Sequence, residues 1–330
     1  MHIKTLFPIL LLPLLLLTGA CAVDPEEDSG YFYDRVMKAW LNVNYPGVQP
    51  FGTTGAYILS IDRGSGPAVT DSCYVWAHYT KRDLEQTIVS TNVQSLSEQI
   101  GGYTTSTYYG SDIWRLGQGY LPDALEEILK TMRAGGSVKV ALPLSASSHD
   151  YSLYTAFSST SETDNLLVDV TIDTLVDDIF DYQDRVMREW FREHYARTDT
   201  VAEGLYLQKL EEHPNDSITD GTSVSVWYIG RLMNGQVFDT NIQDSAKFYR
   251  IYDSNKSFTA LSFEYHKPDS EELTSNNSYV KGFAKALSMM KYGETAVTLF
   301  NSELGYGDKG SSPSIPEYSP LVFWLYIEPK

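Results

Sequence analysis

Cysteine is nearly absent: Cys21 and Cys73 are the only two in 330 residues. A small fold stapled by disulfides is therefore excluded. Histidine is scarce too, and positions 2, 78, 149, 194, 213 and 266 follow no metal-ligand spacing. No metal or cofactor is expected. Basic residues are outnumbered, 25 Lys and Arg against 43 Asp and Glu, for a net charge of −18. Phosphate repels such a chain, and no basic stripe is interleaved with aromatics, so nucleic acid is excluded as a partner. The acidity reads as a solvated surface that aids solubility. Long apolar runs are missing as well. The run from Leu6 to Leu17 is interrupted by Pro8 and Pro13 and is too short to span a bilayer comfortably.

That run follows Lys4 and leads into Thr18-Gly19-Ala20-Cys21. A short apolar core with small residues before a cleavage point is the pattern of a signal peptide, here residues 1–20. The small residues before Cys21 resemble a bacterial lipoprotein lipobox, although Thr18 stands where that motif usually has an aliphatic residue. The resemblance implies lipidation of Cys21, a membrane partner through that lipid anchor, and a place in the cell envelope. The anchor would sit on the periplasmic or surface face of an outer membrane. Residues 21–30, with Asp24-Pro25-Glu26-Glu27-Asp28, read as an acidic tether and resemble the export signal of some Bacteroidetes surface lipoproteins. With Cys21 acylated no intramolecular disulfide can form, and Cys73 is expected as a lone thiol packed in a strand.

The remaining length suits two domains, and 42% hydrophobic with 21% charged residues is a globular composition. The chain repeats itself once. Asp34-Arg35-Val36-Met37-Lys38-Ala39-Trp40 returns as Asp184-Arg185-Val186-Met187-Arg188-Glu189-Trp190. Gly55-Ala56-Tyr57 parallels Gly204-Leu205-Tyr206, and Thr70 to Asn92 aligns without gaps to Thr219 to Asn241. Ala124 to Met132 then parallels Gly282 to Met290, and Leu166 to Val170 parallels Leu321 to Leu325. One domain is duplicated, as residues 31–175 and 176–330.

Each copy opens with a helical pattern, Asp34 to Asn42 and Val176 to Tyr195. Strand alternation follows in the second copy at Val224, Val226 and Tyr228, with Asn234-Gly235 as a hairpin signal. A short amphipathic helix is predicted over Val280 to Lys291, with strands at Thr295 to Phe300 and Leu321 to Ile327. The fold class is α+β.

The second copy holds Tyr228-Ile229-Gly230-Arg231, then Gln236-Val237-Phe238-Asp239, then Val280-Lys281-Gly282-Phe283. Leu304-Gly305-Tyr306-Gly307, Ile315-Pro316 and Pro320-Leu321-Val322-Phe323 complete the series. In order and spacing this series, over a core of about residues 217–329, resembles FKBP-type peptidyl-prolyl cis/trans isomerases. The resemblance implies two tandem FKBP-like domains, each an antiparallel sheet wrapped on a short helix and each preceded by an N-terminal helix. It implies a pocket at Tyr228, Phe238, Asp239, Val280, Phe283, Tyr306 and Phe323, with Leu304 and Ile315 on its rim. Leu261 or Phe263 would supply an aromatic-side wall, from a stretch, Ile242 to Tyr279, that reads as an insertion. Proline-containing polypeptides are the implied partners, and no cofactor is needed.

The first copy looks emptied. Val89 and Ser90 stand where the second copy has Phe238 and Asp239, Leu125 replaces Phe283, and Val168 replaces Phe323. Tyr79 survives opposite Tyr228, and Tyr306-Gly307 finds no counterpart. Isomerase activity is expected only in the second copy, assisting the folding of exported proteins. The alternative is a non-catalytic peptide-binding or scaffolding lipoprotein, with two FKBP-like domains.

Overall fold

The computed structural model describes residues 29–147, 165–195, 200–213, 216–268, 270, 273 and 279–330. The leader and Cys21 lie outside them. Among the described residues no helix is long and apolar enough to cross a membrane.

In the first copy the elements run α1 (Ser29–Asn44), β1 (Tyr57–Asp62), β2 (Tyr74–Arg82), β3 (Ile88–Thr91), α2 (Gln94–Gln99) and β4 (Asp112–Arg115). They continue with α3 (Asp123–Leu129), β5 (Ser137–Leu142), α4 (Leu144–Ser147) and β6 (Leu166–Val176). The second copy runs α5 (Ile179–His194), β7 (Thr200–Ala202), β8 (Leu205–Glu211), β9 (Thr222–Leu232), β10 (Val237–Thr240) and α6 (Gln243–Phe248). After these come β11 (Leu261–Tyr265), α7 (Lys281–Ser288), β12 (Thr295–Phe300) and β13 (Leu321–Ile327).

The result is two antiparallel sheets of one topology. The first is ordered β1-β5-β6-β2-β3 with β4 also on β2; the second is β10-β9-β13-β12-β8-β7 with β11 also on β9. Even the register repeats: Tyr57 pairs with Ala141, and its counterpart Tyr206 pairs with Leu299. One face of each sheet packs on the short helix. Leu125, Ile128 and Leu129 of α3 and Phe283, Ala286 and Leu287 of α7 are buried there. The opposite face packs on the longer helix. Met37 and Leu41 meet Tyr57, Ala141 and Leu167, while Met187 and Phe191 meet Tyr206, Leu299 and Val322. The repeated tryptophans act alike. Trp40 donates its indole N–H to the Leu84 carbonyl at 2.9 Å, and Trp190 donates to the Met233 carbonyl at 3.0 Å.

Element ends differ from the sequence reading for local reasons. Helix α1 already begins at Ser29, inside the stretch read as tether. Helix α5 starts at Ile179 rather than Val176, because the Asp178 carboxylate accepts from the Phe180 and Asp181 N–H groups and caps it. Helix α7 spans only Lys281–Ser288. The chain then turns at Gly293 (φ +77°), where Glu294 accepts from the Lys291 N–H at 2.8 Å. Cys73 is buried immediately before β2 rather than within it.

Strand β9 pairs with β13 along one side and changes partner midway along the other. It pairs with β11 over Thr222 to Val226 and with β10 over Ile229 to Arg231. Backbone at the break is satisfied by a buried side chain. Asn241 accepts from the Tyr228 N–H at 2.9 Å and donates to the carbonyls of Val226 at 2.8 Å and Thr259 at 3.1 Å. Asn92 does the same in the first copy, accepting from Tyr79 N–H and donating to the Ala77 carbonyl. The extra length of the second copy therefore lies beyond β11. Helix α6 and β11 are counterparts of α2 and β4 and not an insertion. Replacing Asn241 by Ala strands the Tyr228 N–H and two carbonyls without partners, which is expected to cost roughly 2–4 kcal/mol. Denaturant unfolding of the variant measures this, and a loss within ±0.5 kcal/mol, the range of an ordinary surface change, contradicts the role given to Asn241.

Candidate active site

The second sheet and α7 enclose a cavity of about 440 Å³. Its floor is built from rings held by one another. Phe283 at the start of α7 meets Phe323 of β13 at 5.2 Å between centroids, and Tyr228 of β9 meets Phe283 edge-on at 5.7 Å. Phe238 of β10 meets Phe323 edge-on at 5.6 Å, and Phe300 stacks beneath Phe323. Gly230 makes this approach possible. A Cβ there would lie 2.7 Å from the Phe238 ring and 2.8 Å from the Phe323 ring.

One carboxylate stands among these rings. Asp239 accepts from the Tyr228 hydroxyl at 2.7 Å and forms an ion pair with the Lys256 ammonium, so the charge is fixed in place. Lys256 also lies over the Phe258 ring. Burial, then the Asp239 charge, pushes the Tyr228 hydroxyl well above the ordinary tyrosine range. The same two causes raise Tyr306. Both hydroxyls carry their protons at neutral pH, as any tyrosine does, and Tyr228 donates its own to Asp239. Val280 is the residue that enters α7, with extended backbone (φ −63°, ψ 139°), and its side chain borders the cavity.

Tyr228, Phe238, Asp239, Val280, Phe283, Tyr306 and Phe323 therefore line one cavity, although they come from three strands, a helix and its entry, and a loop far apart in sequence. Leu261 lines it too, while Phe263 lies buried behind, against Tyr279 and Phe283. The two expected rim residues do not. Leu304 packs against the core while its neighbours Glu303, Gly305 and Tyr306 face the cavity. Ile315 is buried in the second copy's core, and the segment bearing it borders a different cleft. Sequence reasoning missed Tyr279, Lys281 and Glu303 on the wall, and above all Lys256. No spacing rule announces an ion pair that closes across a loop.

Residues 215–327 match the model of the family described as FKBP-type peptidyl-prolyl cis-trans isomerase. A "probable FKBP-type peptidyl-prolyl cis-trans isomerase" of Haemophilus influenzae is 28% identical over 136 residues, which is 40% of this chain and 46% of that protein. FK506-binding protein 4 of Rhizopus delemar is 28% identical over 36% of this chain and 25% of its own. The peptidyl-prolyl cis-trans isomerase Mip of Coxiella burnetii is 29% identical over 38% and 44%. The chain spans less than half the length of each of these relatives. Among solved structures, a peptidyl-prolyl cis-trans isomerase from Pseudomonas syringae aligns with 46% of this chain and 96% of its own, at 21% identity and a TM-score of 0.32. The three FKBP domains of wheat FKBP73 align with 83% and 94%, at 17% identity and a TM-score of 0.30.

The corresponding place in the first copy is chemically different. Tyr79 occupies the position of Tyr228, and its hydroxyl lies 3.3 Å from Ser90, which replaces Asp239. The position of Leu261 is taken by Asp112, since Asp112 pairs with Ala77 as Leu261 pairs with Val226. The stretch 148–164, where a counterpart of Tyr306-Gly307 would fall, lies outside the described residues. Burial, then the Glu317 charge, pushes the Asp112 carboxyl from 3.8 up to about 7, against a lowering hydrogen bond from Asn92. Burial, then the Asp112 and Asp173 charges, pushes the Tyr108 hydroxyl up to about 12. The sign for stability follows from proton counts. Between about pH 4 and 7 the unfolded chain has released a proton that the folded chain retains, so stability falls as pH rises through that window. Asp112→Asn removes this dependence. The variant is expected to gain stability over the wild type progressively from pH 4 to 7, with the difference level above that. Thermal midpoints across the range test it, and a difference that does not change with pH contradicts it.

Proposed function

We propose that the protein is a peptidyl-prolyl cis/trans isomerase that works through its FKBP-type domain, residues 215–327. The observation that carries the reading is a fixed acid beside a wall of aromatic rings: Asp239, tied to Tyr228 and Lys256, borders a cavity walled by Phe238, Phe283 and Phe323. Turning an amide costs about 18–20 kcal/mol because resonance must be broken. At an Xaa-Pro bond the two isomers are close in energy and interconvert slowly. The reaction makes and breaks no covalent bond, so nucleophile, metal and proton relay are all unnecessary.

The twisted amide has lost resonance, and its carbonyl is less polar than in the planar form. An apolar, water-poor cavity favours it over the hydrated ground state, and each 1.4 kcal/mol or so of that preference is tenfold in rate. Phe238, Phe283 and Phe323 receive the proline ring. The Val280 N–H and the Tyr306 hydroxyl hold the peptide by hydrogen bonds. Asp239 orients the turning amide. Clients are proline-containing polypeptides, and turnover belongs to the second copy alone, because Ser90 leaves the first without the acid. The leader and Cys21 support placement at the cell envelope by a lipid anchor, where the protein assists exported chains. On that reading Cys21→Ser releases the protein from the membrane fraction, and unchanged fractionation argues against the anchor.

The activity is tested with the full chain on a short Xaa-Pro peptide. Phe238→Ala and Asp239→Ala are each expected to lower kcat/KM about ten- to a hundredfold, equivalent to about 1.4–2.8 kcal/mol of lost transition-state preference. No acceleration by the folded wild-type chain would sink the catalytic reading, and leave a peptide-binding scaffold.

A further inference from the structure

The wall of the second copy's cavity that carries Tyr306 continues into the first copy. From Gly307 onward the chain crosses to a cleft of about 250 Å³ that has Tyr79, Ser90 and Asp112 on one side. These are the counterparts of Tyr228, Asp239 and Leu261. On the other side of the cleft stand Ser312, Pro313 and Ile315. The first copy's version of the pocket is therefore faced by a proline-bearing segment of the second.

The contacts are specific rather than a smear of packing. The Tyr108 N–H donates to the Pro313 carbonyl at 2.8 Å. The Tyr120 hydroxyl donates to the Asp308 carbonyl at 3.3 Å and shares a hydrogen bond of 2.8 Å with the Tyr318 hydroxyl. Tyr318 is the far end of the segment. Its ring is sunk in the first copy's core, edge-on to Tyr74 at 5.1 Å, while its N–H donates to the Gly307 carbonyl at 2.9 Å. Both ends of the segment are thus tied together next to Tyr306, and both are held by tyrosines of the first copy.

We propose that the first copy's altered pocket is an intramolecular dock for segment 308–317 of the second copy, and that this docking positions Tyr306 beside the catalytic cavity. The proposal rests on the isomerase reading of that cavity. Loss of the acid and of the rings has a physical logic here. A cleft that holds a segment of its own chain permanently gains from a small Ser90, which leaves room for the occupant, and loses nothing by lacking turnover. A bare packing contact between the copies would instead leave the geometry around Tyr306 indifferent to what happens at Ser90, on the far side of the segment.

The test uses the full chain with Ser90→Phe, which puts a ring into the cleft that the segment faces, and Tyr120→Phe, a milder change that removes two hydrogen bonds and keeps the ring. Amide hydrogen exchange at Tyr108 and Tyr318 reads the dock directly. Both amides are expected to exchange about tenfold or more faster in Ser90→Phe, and less so in Tyr120→Phe. The KM for an Xaa-Pro peptide is expected to rise about three- to tenfold, with kcat changing less, as for loss of a binding contact. Unchanged exchange in both variants overturns the dock. Faster exchange with wild-type KM and kcat overturns the positioning of Tyr306. If the wild-type chain neither binds nor turns over the peptide, the isomerase reading and the positioning claim fall together, while the exchange result still decides the dock.

Discussion

A buried asparagine makes the pocket possible. A continuous sheet edge would leave no opening between the strands, whereas a broken one exposes backbone groups at a cost of about 1–3 kcal/mol each when buried. Asn241 resolves this conflict by supplying, from its side chain, the partners that β9 lacks between β11 and β10. The break leaves Tyr228 free to lean over the cavity, while Thr240, next to Asn241, donates to the Tyr228 carbonyl at 2.6 Å and keeps Asp239 opposite. The aromatic floor, the fixed acid and the entry of α7 all depend on that geometry. The identical device at Asn92, with Thr91 donating to the Tyr79 carbonyl, shows that it belongs to the repeated unit and not to the site alone.

Duplication gave two units with one topology and two chemistries. In the second, the charge at Asp239 sits where two partners hold it. In the first, the acid has moved to Asp112, deeper against Tyr108 and Glu317, where burial favours its protonated form. A cleft faced by a segment of its own chain and a cavity bordered by a fixed carboxylate are alternative uses of the same break in the sheet. Gln183 of α5 holds both flanks of the crossing segment within the second copy. It donates to the Ser302 hydroxyl and the Tyr318 carbonyl, at 2.9 Å each, and accepts from the Ser302 N–H.

Much of this was legible because repetition doubles every signal. Met37 and Met187 recur because each plugs the outer face of a sheet, and Trp40 and Trp190 because each fixes a hairpin carbonyl. Strands β12 and β13 have the bounds their residues predict. The middle of each copy was harder. Tyr103 with Tyr109 and Tyr252 with Phe258 form the same stacked pair in both halves, and this would have extended the gapless register through Ile242 to Tyr265. The resemblance to FKBP-type isomerases pointed to the cavity's rings, but the Lys256 ion pair and the burial of Ile315 arise from tertiary contacts that leave no periodic trace.

The central claim is that the cavity turns amides and does not merely hold peptides. Exchange NMR on an Xaa-Pro peptide with a small fraction of the full-length protein separates the two. Catalysis predicts exchange cross-peaks between the cis and trans proline signals that weaken about tenfold or more in build-up rate with Asp239→Ala. Peptide signals that shift on binding without any such cross-peaks would contradict the account.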